Sequence, residues 1–271
     1  VRQSSGVVTL ELGGRVEAYA PIAAFYDLEH DQFDDDIEWY RHLAEVAGSR
    51  VLELGCGSGR ILGPLAAAGN QVVGVDSSSE MLQRARSRLQ SAIARGDVAL
   101  FLGDMQQIAE IAPGPFDLVI IALNGFLHLD GPEAQQLVLS GVRRILRPGG
   151  LLAIDALHAV PDALNMFDGR VVHEGSWDRS ESVISKFSAR TVDWTNQLIE
   201  SEVWYDEVGV EGVIRRHRTE FPMRWVTPSE ISLMLEMAGF VDLNLAGSYD
   251  GSPLTDMSDR MLVVARSAEA G

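Results

Sequence analysis

Residues 50–76 read RVLELGCGSGRILGPLAAAGNQVVGVD, and this stretch decides the fold. A short apolar strand, Val51-Leu52-Glu53-Leu54, breaks into Gly55-Cys56-Gly57-Ser58-Gly59. Ile61, Leu62, Leu65 and Ala66 follow at helical spacing, the pattern stops at Gly69-Asn70, and a second strand, Gln71 to Val75, ends on Asp76. Strand, glycine loop, helix and strand in that order predict a βαβ unit with its crossover helix. Glycines at alternate positions let the backbone turn sharply and approach a ligand with no Cβ in the way. The N–H groups at the helix start face whatever sits above the loop. Asp76 closes the second strand on the same side of the sheet, where a carboxylate can accept both hydroxyls of a ribose.

The spacing separates two ligand classes. A dinucleotide fingerprint needs G-x-G-x-x-G, so that a pyrophosphate lies on the helix N-terminus. Here the glycines are Gly55, Gly57 and Gly59, and Arg60 stands where the third dinucleotide glycine would be. Glu53, two residues before the first glycine, suits a ligand that carries an ammonium group and repels a pyrophosphate. The run Glu53-Leu54-Gly55-Cys56-Gly57-Ser58-Gly59 resembles motif I of class I S-adenosylmethionine-dependent methyltransferases. The resemblance implies S-adenosyl-L-methionine as cofactor, S-adenosyl-L-homocysteine as product, and no metal.

The rest of the core keeps the family's order. Ser77-Ser78-Ser79-Glu80 offers N-cap serines, and Met81, Leu82, Ala85 and Leu89 give helical spacing. In the resemblance Met81 packs on the adenine face. Asp97 to Leu102 reads as a third strand ending in Gly103-Asp104-Met105, a triplet similar to the family's adenine-binding corner. There an Asp side chain accepts from the exocyclic amine and the next N–H donates to the ring. Pro115 to Ile121 is a fourth strand, running on through Leu123 to His128-Leu129; it matches the motif whose end borders the methyl donor. Gly131-Pro132 opens a helix with Leu137, Val138, Val142, Ile145 and Leu146 as its buried side. Arg147-Pro148-Gly149-Gly150 is a turn that the family also carries, before a fifth strand from Leu151 to Ala156. The cofactor set is therefore Tyr19, Glu53, Gly55, Cys56, Gly57 and Arg60, with Asp76, Ser77, Met81, Asp104, Met105 and Leu123. Cys56 is a small filler beside the ligand.

Composition limits the alternatives. With 271 residues the chain can bury one sizeable α/β domain with an insertion. A net charge of −17 argues against nucleic acid and mildly favours a cationic sulfonium. A single cysteine excludes an internal disulfide and a cysteine-based metal site. No run approaches the ~18–20 apolar residues of a membrane span, so no membrane partner and a cytoplasmic location are expected.

Outside the core, Tyr19 to Asp27 mixes aromatics with small residues and reads either as a short helix folding over the cofactor as a lid or as a segment whose Tyr19, Phe25 and Tyr26 pack it on the domain. Residues 33–47 form an amphipathic helix whose Asp34-Asp35-Asp36 triplet reads as a solvated, dipole-favoured start. Ile37, Tyr40, Leu43 and Ala44 are its apolar stripe. From 157 to 226 the pattern turns to alternating polarity, in Arg170–Trp177, Val183–Trp194, Leu198–Tyr205 and Val213–Met223. Three or four antiparallel strands are expected there. The stretch also holds Trp177, Trp194, Trp204 and Trp225; most should pack the sheet and one or two line a substrate cavity. A β-rich insertion at this point resembles the amino-sugar and other small-molecule N-methyltransferases, in which it covers the site and often builds a dimer. Thr227-Pro228-Ser229-Glu230 is a capping box opening a helix, and Val241–Gly247 and Arg260–Ala265 are a terminal antiparallel pair.

The expected fold is α/β: a doubly wound, seven-stranded, mostly parallel sheet of Rossmann-like methyltransferase type, its last strand antiparallel, with an inserted antiparallel β cap. Residues 1–32 are an N-terminal lid segment, 33–156 the cofactor-binding core, 157–226 the cap with a possible dimer surface, and 227–271 the completion of the core sheet. The expected function is methyl transfer to a nitrogen or oxygen of a small metabolite. His128, His158 and Tyr26 are the candidate catalytic residues, because an imidazole titrates near neutrality and can take the acceptor's proton. The alternatives are a non-catalytic S-adenosylmethionine-binding regulatory subunit and, third, a NAD-dependent oxidoreductase.

Overall fold

Period-two alternation in the core strands sorts their side chains onto two faces. On β1 (Arg50–Leu54), Leu52 and Leu54 join one buried cluster and Val51 the other; on the neighbouring strand, Val119 and Ile121 split from Leu118 and Ile120 in the same way. Helices must therefore cover both faces. In the computed structural model, which describes residues 18–112 and 114–269, they do. The part of the expected lid segment before Ala18 lies outside the described residues.

The remaining core strands are β2 (Gln71–Asp76), β3 (Val98–Leu102), β4 (Phe116–Ile121) and β5 (Leu146–Leu157). After a four-stranded cap, β6 (Asp168–Arg179), β7 (Ser182–Asp193), β8 (Leu198–Gly209) and β9 (Ile214–Arg224), come β10 (Phe240–Ala246) and β11 (Arg260–Ser267). The seven-stranded sheet has the order β10-β11-β5-β4-β1-β2-β3, and only β11 runs antiparallel to its neighbours. The cap is a separate antiparallel sheet in chain order. The helices are α1 (Ala23–His30), α2 (Asp35–Ala47), α3 (Leu62–Ala67), α4 (Ser79–Arg88), α5 (Gln90–Arg95), α6 (Ile108–Ile111), α7 (Gly131–Ile145), α8 (Pro161–Leu164) and α9 (Pro228–Met237). Helices α2, α3 and α4 pack one face of the sheet, α7 and α9 the other. Among the described residues no helix is long and apolar enough to cross a membrane.

Four details differ from the sequence reading. Arg147-Pro148-Gly149-Gly150 is not a turn before the fifth strand but a bulge inside β5: Phe116 pairs with Leu146 and Leu118 already with Leu151. The Arg147 guanidinium fixes it by donating to the Asp117 carboxylate and the Ala47 carbonyl. Leu137 is 46% exposed, because the buried stripe of α7 runs through Ala134, Val138, Leu139, Val142 and Ile145 and leaves it to one side. The helix expected to reach Leu89 breaks there into α4 and α5. The acidic triplet is not wholly solvated: Asp34 and Asp35 are exposed, but Asp36 is fully buried.

Asp36 is buried because Arg60 reaches it. Arg60 Nη1 donates to Asp36 Oδ1 at 2.8 Å and to the Phe33 carbonyl at 2.7 Å, while Nη2 takes Asp36 Oδ2. The fork ties the start of α2 to the residue after the glycine loop. Burial opposes the charged guanidinium, yet the hydrogen bond and charge of Asp36 outweigh it and raise the Arg60 pKa.

The segment expected as a lid, a 3-10 turn Ala20–Ile22 followed by α1, lies between core and cap. Ile22 and Phe25 share a buried cluster with Ile184, Val203 and Tyr205 of the cap, and Phe25 stacks on Tyr205 at 5.1 Å. Asp27 pairs with Arg84 and Arg88 of α4 on the core side. On the cap side both Glu29 oxygens take Lys186 Nζ at 2.7 Å. Lys186 also holds Glu174; burial raises that carboxyl, but the Lys186 charge and hydrogen bond, with Ser188 and Arg190, bring it down to about 2.

Removing one member of a buried pair leaves the other uncompensated. Arg60→Ala should lower unfolding stability by about 3–5 kcal/mol, read from urea denaturation. The double substitution Asp36→Leu with Arg60→Met should lose much less. Equal losses in the two variants would show that the pair is not the source of the effect.

Candidate active site

The cavity opens where the chain leaves the C-terminal ends of β1, β2 and β4. Asp76 Oδ2 accepts the Gly57 N–H at 2.7 Å and Oδ1 accepts the Ser78 N–H at 2.8 Å. Each carboxylate oxygen retains a second lone pair. Burial raises the Asp76 pKa, and the N–H groups of Ser78, Gly57 and Ser77 work against that rise. Gly57 has φ +54°, and a Cβ there would sit 3.2 Å from the Met81 terminal methyl and 3.9 Å from the Tyr26 ring. A side chain at this position would thus be strained and would push into both neighbours. The Met105 methyl lies 3.5 Å from the corresponding point over Gly55. Two thioether side chains and the bare glycine backbone therefore frame one end of the cavity, a soft and apolar setting.

Asp104 accepts the Gln106 N–H at 2.8 Å and its side-chain amide at 3.1 Å, which caps the 3-10 turn Met105–Gln107. Glu53 is buried at the floor, and its Oε2 has no hydrogen-bond partner among the described residues. Burial, against the lowering influence of Arg60, holds its pKa well above the usual value. Cys56 is buried beside it, and burial also pushes its thiol up.

The other end is built from three distant segments. Tyr19 O–H and His128 Nε2 are hydrogen-bonded at 3.0 Å. Phe221 of β9 stacks on Tyr19 at 5.6 Å and meets the His128 ring at 5.2 Å. Burial, then the charges of Asp76 and Glu29, raise the Tyr19 pKa, so the residue stays a phenol. Tyr26, likewise raised by burial first, stacks on His30 at 4.0 Å and closes the side over Gly57.

All the cofactor residues read from the sequence line this one cavity: Tyr19, Glu53, Gly55, Cys56, Gly57 and Arg60, with Asp76, Ser77, Met81, Asp104, Met105 and Leu123. His128 and Tyr26 line it too. His158 does not. Its Nδ1 bonds the Ser258 carbonyl at 3.1 Å and its N–H the Asp259 carbonyl, so the loop before β11 covers it. No tryptophan lines the cavity among the described residues; the cap contributes Phe221 and Pro222 instead. Asp130 also lines it and was missed, although it directly precedes the recognised start of α7.

Comparisons with known proteins show the family and the fold. Residues 51–150 match the methyltransferase domain family. The cypemycin N-terminal methyltransferase of a Streptomyces species is 31% identical over 229 residues, 84% of this chain and 87% of that protein. The ubiquinone biosynthesis O-methyltransferase of Albidiferax ferrireducens is 28% identical over 155 residues, 52% of this chain and 60% of that one. Among solved structures, the CcbJ methyltransferase of Streptomyces caelestis matches with a TM-score of 0.74 over 94% of this chain and 98% of its own, at 23% identity. The sugar N-methyltransferase KedS8 of Streptoalloteichus sp. matches with a TM-score of 0.75 over 99% and 100%, at 19% identity. The likeness to both structures is one of fold. The chain belongs to the class I S-adenosylmethionine-dependent methyltransferases.

The residues present fit that cofactor. The unpartnered Glu53 oxygen suits an ammonium, Asp76 a pair of hydroxyls, and the cradle between Met81 and Met105 a flat base.

Two outcomes follow from the floor of the site. Asp76→Ala should weaken S-adenosylmethionine binding by about 1–3 kcal/mol in calorimetry, the range for losing a charged hydrogen-bond partner. Unchanged affinity would remove Asp76 from the site. Glu53 bears on stability instead. A carboxyl whose folded pKa is raised gives its full stabilisation below the unfolded value of 4.5, and that is lost as pH rises through the folded pKa. Glu53→Gln should therefore raise the melting temperature of the ligand-free protein at about pH 8, and the gain should shrink towards about pH 5. A gain independent of pH would contradict ionisation of Glu53 against its burial.

Proposed function

We propose that this methyltransferase places the methyl group on an amine nitrogen, carried by a small metabolite or by the end of a peptide. The observation that carries the reading is the Tyr19–His128 pair at 3.0 Å, set at the cap end of the cofactor cavity and walled by Phe221. The bound cofactor supplies an electrophilic methyl on its sulfonium. What remains for the chain is to place a lone pair in line, free it of its proton, and keep water out.

Tyr19 and Tyr26 stand over the cavity as its lid, and Phe221 and Pro222 close the cap side. His128 takes the acceptor's proton. Tyr19, held as a phenol by burial, keeps the imidazole in place through Nε2. An α-amino group, with a pKa of roughly 8, gives up a proton to an imidazole far more readily than a phenol at roughly 10. That difference favours nitrogen, as does the likeness to the cypemycin N-terminal methyltransferase. The ubiquinone relative, which this chain matches over 60% of its length, favours oxygen.

The test is methyl transfer from labelled S-adenosylmethionine to a short peptide with a free N-terminus, an amino sugar and a phenol. Labelling of the amines is expected; labelling of the phenol alone would overturn the choice of nitrogen. With a productive amine, His128→Ala should lower turnover by about 10²-fold, the low end for a general base. Cofactor affinity should hold. Wild-type turnover in that variant would leave His128 a packing residue. S-adenosylhomocysteine should raise the melting temperature by ordinary binding linkage and NAD should not.

A further inference from the structure

His128 owes its place to a turn built on two successive left-handed residues. β4 ends at Ile121, and the chain must reverse over the cavity before the 3-10 turn Gly125–His128 can begin. It does so through Leu123 at φ +43° and Asn124 at φ +68°, two successive non-glycine residues in the left-handed region. Asparagine tolerates that region and leucine does not, so such a pair persists only where its surroundings hold it.

The C-terminal end of β5 supplies the grip. The Asn124 N–H donates to the Asp155 carbonyl at 2.9 Å, and the Leu123 N–H to Asp155 Oδ2 at 3.4 Å. In return Asn124 Oδ1 accepts the Leu157 N–H at 2.6 Å. Asp155 is fully buried and fixed in turn by the Tyr249 O–H at 2.8 Å and by the Arg260 guanidinium. Past the turn the fit is close: a Cβ on Gly125 would lie 3.2 Å from the Ile121 side chain. Neither Asn124 nor Asp155 lines the cavity, whereas Leu123, Gly125 and His128 do.

We propose that Asn124 and Asp155 are positioning residues that hold the left-handed turn and thereby aim the His128 ring at the acceptor end of the cavity. The chemical use of that ring rests on the function proposed above. The holding of the turn does not, so the test reads the ring itself and needs no acceptor.

The experiment uses the whole chain with isotope-labelled histidine, and S-adenosylhomocysteine as the binding probe. The His128 ring signals are those absent from His128→Ala. Asn124→Ala should shift these signals and remove their through-space contact with the Tyr19 ring, which lies 5.5 Å away between centroids. Affinity for S-adenosylhomocysteine should stay within about twofold, the scale of a substitution outside the binding surface. Asn124→Asp keeps an acceptor for the Leu157 N–H and tolerates the left-handed region. It should restore both the signals and the Tyr19 contact. Asp155→Asn, which loses the charged partner of Arg260, should shift the same signals by the other route. Unmoved His128 signals in Asn124→Ala and Asp155→Asn overturn the proposal. So does loss of S-adenosylhomocysteine binding that Asn124→Asp fails to restore, or unfolding of both variants, since the two residues would then serve the domain at large.

Discussion

The hydrogen bond from the Gly57 N–H to the Asp76 carboxylate ties the two ends of one βαβ unit together, and the cavity takes its shape from it. β1 delivers the glycine loop and β2 delivers the acid; the bond fixes one to the other. The neighbouring N–H groups reinforce it, with Gly55 and Cys56 both bonded to the Val75 carbonyl. The same carboxylate sets the Ser78 N–H, and the Ser78 hydroxyl then caps α4 by accepting from Met81. Met81 is thereby delivered over Gly57. One carboxylate thus places the loop, the helix start and the apolar cover. Its burial has a cost, visible in the raised pKa, which a ligand that donates to it would offset.

The end of the cavity walled by Tyr19, His128 and Phe221 has no such local origin. Tyr19 comes from the segment before α1, His128 from the turn after β4, and Phe221 from the far strand of the cap. Their meeting depends on how the cap is seated. Arg224, at the end of β9, is buried with its guanidinium on Gln135, Gln197 and Glu230, and Gln135 in turn donates to the Phe126 and Arg224 carbonyls. That network fastens the cap to α7 and α9, three residues after Phe221. A polar knot of this kind is demanding: fully satisfied it fixes one geometry, and partly satisfied it destabilises the site it serves.

The core was legible because its signals are local. Glycine spacing, period-two strands and an acid at a strand end each speak within a few residues, and Glu53, Gly55, Gly57 and Asp76, read from them, line one cavity. Where contacts span the chain the sequence misleads. Asp36 had the pattern of a dipole-favoured helix start, and only its pairing with Arg60 makes it a buried residue. His158 shares the strand end with the site but is covered by a loop that arrives 100 positions later. Most of the tryptophans were expected to pack the sheet and one or two to line a substrate cavity. Trp225 instead joined the core cluster and Trp204 stacked on Phe187, which left the wall to the less conspicuous Phe221 and Pro222. The left-handed pair Leu123-Asn124 carried no glycine to announce it.

The double stitching of α1 sets a mechanical condition on traffic through the site. Asp27 faces the core and Glu29 the cap, two residues apart on one short helix, so roof, floor and wall behave as a single clamp. The Asp27 and Lys186 side chains are only 14% and 10% exposed, which shelters these pairs from dissolved ions. Moving α1, which carries Tyr26 of the cavity wall, would mean breaking ion pairs on both of its faces, to Arg84 and Arg88 of α4 and to Lys186 of the cap.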